Sequence, residues 1–536
     1  MRTTLLHTTI TLISVLVMIS TASGQKRFLK TFRVSEVIHP AGAMVPSNGV
    51  SKIAVDNSDL WIGTDKGLAK SIDFSRSWKS YRSDPAFAND GIFALATKNH
   101  TIWASTGYEE SVSDGTVQTG SGYAFSSDSG NHWTHLAQTL DAPGDSILSY
   151  GINDSLWMLP VDVPEQNVTF DISLSPGTVW IASWASGLRK STDNGTTWQR
   201  IPLPPDGQST LRPTDTLWTY ANNDTLRQRR YFMHFDPRHN NNFLAFSVFA
   251  QDNDTIWCGT AGGVNKSIDS GKSWVKFSHQ NQVEPILGDW VIAINQQVYH
   301  GGLRLWTVNW KADDPSEDYG VSYTDDGGRS WKNLLNGVKA YDISFRDSIA
   351  YIATDDGIFR TADGGLSFSR FSYMADPSTR QAVTSTASYT VGSIADTVFV
   401  GTGDGMASTI DDTTNLFGAS WKIYRTYQPV GTSHASYAYP NPFSPAQQHV
   451  RIHYSAQTLN QGSQSASRSV SIDIFDFGMN RVRSLLHDAP RSAASEYDEL
   501  WDGSSDGGKI VANGVYFYRI TIDGGEPMFG KIIVLQ

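Results

Sequence analysis

Cysteine is almost missing. Cys258 is the only one in 536 residues, so no internal disulfide can hold the chain together. It lies in IWCGT, an apolar strand pattern, and reads as a buried spacer and not a nucleophile. Charge is sparse, at 18% of residues, and leans negative, with a formal balance of -11. That sign disfavours nucleic acid or an anionic membrane as partner. Past the first two dozen residues no apolar run is long enough to span a bilayer as a helix. There is no His-x-x-x-His or cysteine cluster for zinc. No Gly-rich phosphate loop leads into a helix, because helical periodicity is scarce throughout.

Gly (46), Tyr (21) and Trp (17) are plentiful instead, and 39% of residues are hydrophobic. Short strands joined by tight turns account for that mix, which predicts an all-β chain of two or more domains. Residues 1–24 read as a secretory signal: Arg2 opens it, Leu12 to Ile19 is apolar, and Ala22-Ser23-Gly24 is a small-x-small cleavage site. Cleavage there leaves Gln25 first. Residues 25–48 form a lead-in, in which TFRVSEVI (Thr31 to Ile38) alternates like a strand that completes the last unit of a ring.

One eight-residue pattern recurs, Ser/Thr-x-Asp-x-Gly-x-x-Trp. It reads SIDFSRSW to Trp78, SSDSGNHW to Trp133, STDNGTTW to Trp198, SIDSGKSW to Trp274, TDDGGRSW to Trp331 and TADGGLSF to Phe368. In a seventh, worn copy Thr409 and Asp411 precede an insertion and Trp421 closes it. The aspartates are Asp73, Asp128, Asp193, Asp269, Asp326, Asp363 and Asp411. Each is expected to fold its carboxylate onto nearby backbone N–H groups while Gly supplies positive φ. The Ser or Thr hydroxyl adds a local bond, and the closing aromatic plugs the space between neighbouring sheets. This pattern resembles the Asp-box (sialidase-type) repeat. In that family the box is a structural turn away from the ligand site.

An aromatic-rich second strand precedes each turn: LWIGT at Leu60, IWAST at Ile102, VWIAS at Val179, IWCGT at Ile256, LWTVN at Leu305, AYIAT at Ala350 and VFVGT at Val398. Four-stranded units in tandem bury their faces against each other when arranged radially. The expectation over residues 49–427 is a seven-bladed β-propeller, with an open solenoid as runner-up. Trp331 to Phe368 is close to a bare blade. Longer steps carry insertions at about 135–168 and 202–241, and a long Gly/Ser loop is expected from Gly107 to Gly122.

Residues 428–436 read as a linker, and 437–536 as a small Ig-like β-sandwich. The tail resembles two families. Trp501-Asp502-Gly503 and Asn513 to Ile520 are similar to the immunoglobulin-like domain of flagellar hook-capping proteins. The YPNPF entry (Tyr439 to Phe443) and the Lys531 to Leu535 end resemble the C-terminal sorting domain of type IX secretion. The second resemblance implies contact with secretion machinery and export to the medium or the outer surface of a Gram-negative cell.

Candidate ligand-binding residues lie on the face opposite the repeated turns. Arg227, Arg229 and Arg230, beside Tyr220, suit an anionic or sugar ligand by charge and stacking. Trp184 and Trp310 follow second strands and read either as stacking platforms rimming the same mouth or as plain core aromatics. Asp65 and Asp355, with Asp356 and Asp404, sit in Gly-bearing hairpins where Asp is the default turn residue. No catalytic residue is assigned and no cofactor is expected. DDPSED (Asp313 to Asp318) is a weak calcium candidate lacking ordered loop spacing. A sialidase would need three arginines, a Tyr–Glu pair and an acid Asp. Arg200-Ile201-Pro202 matches one such motif but follows the third box. The expected function is therefore a binding or scaffold module for a glycan, peptide or extracellular protein. A secreted glycoside hydrolase is the alternative.

Overall fold

Alternating apolar and polar residues, interrupted by Gly or Asn at positive φ, yield strands and almost nothing else. The computed structural model describes residues 45–71, 78–87, 90–112, 115–216, 218–220, 230–232, 235–376, 381–412, 417–425, 436–446, 449–456, 467–492 and 496–536, with backbone alone at 154–155, 218–220, 230–232, 381 and 492. The signal and most of the lead-in and linker lie outside these residues.

The chain is all-β and propeller-like. Its first part builds seven antiparallel sheets of at least four strands among the described residues, six of four consecutive strands and one, the fourth, in which Thr210–Leu211 adds a fifth strand at the outer edge. The innermost strands are Val50–Asp56, Gly91–Lys98, Thr169–Ser175, Ala245–Ala250, Trp290–Tyr299, Ala340–Arg346 and Ser388–Ile394. Each touches the next in order, and the last touches the first. Every inner strand shifts register near its start, for example between Thr169 and Asp171 and between Ala340 and Asp342. A bulge at the same level in each sheet tightens the twist where the strands converge.

Aromatics fill the wedges between sheets. Trp133, closing the second sheet, meets Trp61 of the first edge-on at 6.1 Å, and Trp198 meets Trp103 at 6.2 Å. The turn glycines make room: a Cβ on Gly130 or Gly195 would lie 2.5 or 2.7 Å from the ring of Trp61 or Trp103. These glycines therefore serve both positive φ and a close approach to the neighbouring sheet.

The second sheet departs from expectation. Its second and third strands, Thr101–Val112 and Gly115–Ser126, are twelve residues each and pair as one long hairpin where a Gly/Ser loop from Gly107 to Gly122 was expected. Thr119 Oγ1 donates to Glu110 across that hairpin at 3.2 Å. Cross-strand pairing outweighs glycine content there. The 135–168 insertion forms the hairpin Ile147–Tyr150 and Asn153–Trp157, and the 202–241 insertion pairs Trp218–Tyr220 with Arg230–Phe232.

The tail packs a three-stranded sheet (Ser436–Tyr439, Val450–Ser455, Glu496–Trp501) against a four-stranded one (Arg481–Ser492, Ser467–Phe475, Gly514–Ile522, Met528–Val534). Trp501, Tyr454, Tyr518 and Phe443 lie at their shared core.

Candidate functional site

The repeated turn has one chemistry. At Asp269, Ser267 Oγ donates to Oδ1 at 2.8 Å, and Gly271 N–H donates to Ser267 Oγ at 2.9 Å. Oδ1 also accepts the N–H groups of Lys272 (3.1 Å) and Ser273 (2.8 Å), and Oδ2 accepts the Ser273 hydroxyl (2.6 Å). Asp128, Asp193, Asp326 and Asp363 repeat the pattern. These carboxylates are saturated by their own turns, which leaves little for a ligand. Asp73 lies outside the described residues. Asp411 differs: its Oδ2 accepts Arg360 Nε at 2.7 Å and the Tyr351 hydroxyl, both of the preceding sheet. The insertion after Asp411 replaces the short turn, so the carboxylate reaches sideways and ties two sheets.

The sequence-derived ligand residues whose side chains are described, Trp184, Trp310, Asp65 and Asp355, do not converge. Trp184 and Trp310 are only 7% and 5% exposed. Trp310 donates Nε1–H to the Ala340 carbonyl at 2.6 Å, with the Lys339 ammonium 4.1 Å from its ring centre. Both rings pack in the core, so neither offers a free stacking face. Asp65 and Asp355 stand in turns of the first and sixth sheets. Burial pushes both carboxyls up, countered by Ser47 and Lys66 at Asp65 and by Lys339 at Asp355. Asp356 pairs with Arg370. Tyr220 and Arg230 face each other in a strand pair whose side chains are not described, and Arg227 and Arg229 lie outside the described residues. Arg200 donates to the Asp145 carbonyl at 2.8 Å and is buried, which removes it as a substrate arginine. Cys258 is buried, and burial pushes its thiol up.

A different place on the same face forms a cleft. About 610 Å³ opens between the fourth and fifth sheets, lined by Ala261 and Gly262 of one turn, by Ala312 to Pro315 and Glu317 of the next, and by Asp206, Asn241, Lys276 and Asp289. Among the described residues, five carboxyl groups (Asp206, Asp289, Asp313, Asp314, Glu317) face one ammonium, and no aromatic lines it. Its floor is built from buried polar groups. Glu317 Oε2 accepts the N–H groups of Ala312 (2.7 Å) and Asp289 (3.1 Å), and Oε1 accepts Gln280 Nε2 (2.9 Å). Asp289 Oδ1 accepts the His279 N–H at 2.7 Å. Burial, then the neighbouring Glu317, push the Asp289 carboxyl up to about 6. Lys276 donates to the carbonyls of Asp206 (2.7 Å) and Pro205 (3.3 Å). Burial pulls its ammonium down, countered by Asp206 and Asp289.

The rim is more open. Asp206 accepts the N–H groups of Asn241 and Asn242 (2.7 and 2.8 Å), and Asp313 accepts Asn241 Nδ2 at 3.3 Å. Asp314 accepts the N–H of Ser316 at 2.8 Å and its hydroxyl at 2.6 Å. Within DDPSED, Glu317 turns inward while Asp313 and Asp314 stay at the rim. Among the described residues no three His, Cys, Asp or Glu side chains gather as a metal site. Asp206, Lys276 and Asp289 escape sequence reading because they come from separate segments, each unremarkable alone; Glu317 lies within DDPSED, but its partners do not.

No family model matches the sequence, and no curated protein matches it. Solved structures do. PorZ, an essential bacterial surface component of the type IX secretion system of Porphyromonas gingivalis, is similar over 92% of this chain and 66% of that one, at 14% identity and a TM-score of 0.38. An ancestral GH74 enzyme is similar over 92% of this chain and 64% of that one, at 14% identity and a TM-score of 0.48. YCF48 from Cyanidioschyzon merolae is similar over 69% of this chain and 97% of that one, at 13% identity and a TM-score of 0.40. This chain thus spans about two thirds of the length of PorZ and of the GH74 enzyme. These likenesses concern the fold and say nothing of what this chain binds or does.

Proposed function

We propose that this chain is an exported binding module in which a seven-bladed ring of Asp-box repeats presents an acidic cleft to a basic segment of a peptide or protein. The observation that carries this reading is the cleft itself: five carboxyl groups against one lysine on the face that gathers the long connections. A sugar site is ordinarily lined by stacking aromatics, and among the described residues none lines this cleft. The candidate aromatics Trp184 and Trp310 are core residues. Charge complementarity then favours a cationic partner. The signal-like residues 1–24 and the Ig-like, sorting-type tail 437–536 support export to the medium or to the outer surface of a Gram-negative cell, with the secretion machinery as a second partner.

The test is calorimetric titration of the full chain with a lysine- and arginine-rich peptide, an acidic peptide and a neutral oligosaccharide. The basic peptide should bind, and binding should weaken with salt and in the double variant Asp313→Asn, Asp314→Asn. Binding of the sugar alone, or of both peptides equally, overturns the reading.

Glycoside hydrolysis remains the second reading, because a carboxyl held near 6 (Asp289) beside a second carboxylate (Glu317) is a pairing that acid–base chemistry uses. Against it, Glu317 is occupied by two N–H groups and an amide, and both side chains are buried under the loops they fasten. Hydrolysis of a glycan abolished by Asp289→Asn with binding intact would favour it over the first.

A further inference from the structure

Asp404 belongs to the turn between the second and third strands of the seventh sheet, on the face that carries the cleft. An aspartate in such a turn ordinarily bonds its own backbone and faces water. Asp404 does neither. Its Oδ2 accepts the N–H of Thr384 at 2.7 Å and the Thr384 hydroxyl at 2.6 Å. The same oxygen accepts Arg425 Nη2 at 2.9 Å and, from the tail, Arg451 Nη2. Arg425 also donates Nε–H to the Asp404 carbonyl at 2.8 Å and is anchored by the Ala382 carbonyl. Both arginine side chains are almost fully buried. Beside this contact the tail strand Glu496–Trp501 touches Gln381–Ala382, the link entering the seventh sheet.

Charge is matched behind it when the His453 imidazole is protonated. In the tail, His453 lies between Asp498 Oδ1 (3.0 Å) and Glu496 Oε2 (2.9 Å), and the Tyr439 hydroxyl donates to the same Asp498 oxygen at 2.9 Å. Three carboxylates (Asp404, Asp498, Glu496) thus meet two guanidinium groups and one imidazole. Nη1 of Arg425, Nη1 of Arg451 and Oδ2 of Asp498 are buried nearby without a partner among the described residues, donors and an acceptor suited to bridging water.

We infer that this cluster is an ionic latch: Arg451 is the tail's key, the Asp404–Arg425 pair is its seat on the ring, and the tail is held on the loop-bearing face at the seventh sheet. The physics makes it two-state. Removing one partner of a buried ion pair leaves an uncompensated charge at a cost well beyond that of an exposed pair, so the tail is seated or it is off. Seated, it covers this corner of the face. A guanidinium from elsewhere is the chemistry that competes for the seat. The inference stands whatever the cleft binds.

The test uses the full chain with two cysteines introduced at exposed positions, Lys272 on the ring and Lys509 on the tail; the native Cys258 is buried and does not label. Spin labels there should report one narrow distance. Arg451→Gln should broaden it and speed amide exchange at Thr384 at least about tenfold. Asp404→Asn should broaden it from the ring side, with the tail untouched should the Arg451 variant unfold. Unchanged near-ultraviolet dichroism verifies folding. A distance that stays narrow in both variants overturns the latch.

Discussion

The backbone N–H of Ile53 donates to the hydroxyl of Thr390 at 3.0 Å, joining the first inner strand to the last across 337 residues. The same hydroxyl donates onward to Asp342 Oδ2 at 2.8 Å, so one side chain ties three inner strands. Thr390→Val keeps the shape but leaves a buried N–H and a carboxylate short of partners. The expected loss is about 1–3 kcal/mol, read from the denaturant midpoint. Thr390→Ser, which keeps the hydroxyl, should lose less. Equal losses would mean that packing, not the bond, closes the ring.

Asp269→Ala removes the acceptor for two N–H groups and two hydroxyls in one turn. A loss of about 1–2 kcal/mol is expected, against about 3–5 kcal/mol for Trp274→Ala, which empties a buried site between sheets. Thermal melts of the two variants, compared side by side, check the order.

Stability should fall in acid through the turn carboxylates. Hydrogen bonds from Thr197 and Ser191 hold Asp193 down to about 2. At Asp326, burial acts upward, but bonds from Ser330 and Thr324 prevail and hold it at about 2. A carboxyl depressed in the folded state stabilises above its unfolded value, and that contribution fades from about pH 4 down to about pH 2. Urea midpoints across that range should drop, and less steeply in Asp193→Asn. An identical slope would clear this turn of the effect.

The tail should respond in the opposite direction. Burial lowers the His453 imidazole, but bonds and charge from Asp498 and Glu496 outweigh it and raise its pKa above 6.5. Tyr437, 4.9 Å from its ring centre, Tyr439 and Arg451 also face this layer. A raised imidazole stabilises fully below its unfolded value and ceases to as pH climbs through the folded one. Amide exchange in Val450–Ser455, normalised for intrinsic pH dependence, should therefore speed as pH rises from about 6 through the raised folded-state value. His453→Gln should abolish that change.

At the cleft, Lys276→Gln removes the only ammonium among the lining residues. Its carbonyl partners lie at the floor, so the variant should fold with a modest loss and hold a basic peptide several-fold more tightly, by lifting one repulsion. Weaker binding would instead mark Lys276 as a ligand contact.

Local chemistry was legible wherever it stayed local. The all-β pattern and the folding of Asp128, Asp193, Asp269, Asp326 and Asp363 onto neighbouring N–H groups followed from residues within five positions of each other. For Trp184 and Trp310 only packing decides between rim and core, because an aromatic after a strand looks the same in sequence whether its ring faces water or a neighbouring sheet. Asp411 kept its place in the pattern yet bonds the preceding sheet, since an insertion took its turn away.

Composition and short spacings alone settled that this chain makes strands and tight bends, because period-two alternation and positive φ are properties of a few adjacent residues. Which carboxylates matter was decided only by the tertiary structure. Asp289 and Glu317 meet across 28 residues, and Asp404 meets Arg451 across 47. Burial and opposing charge, the quantities that set their chemistry, exist only once distant segments are packed together.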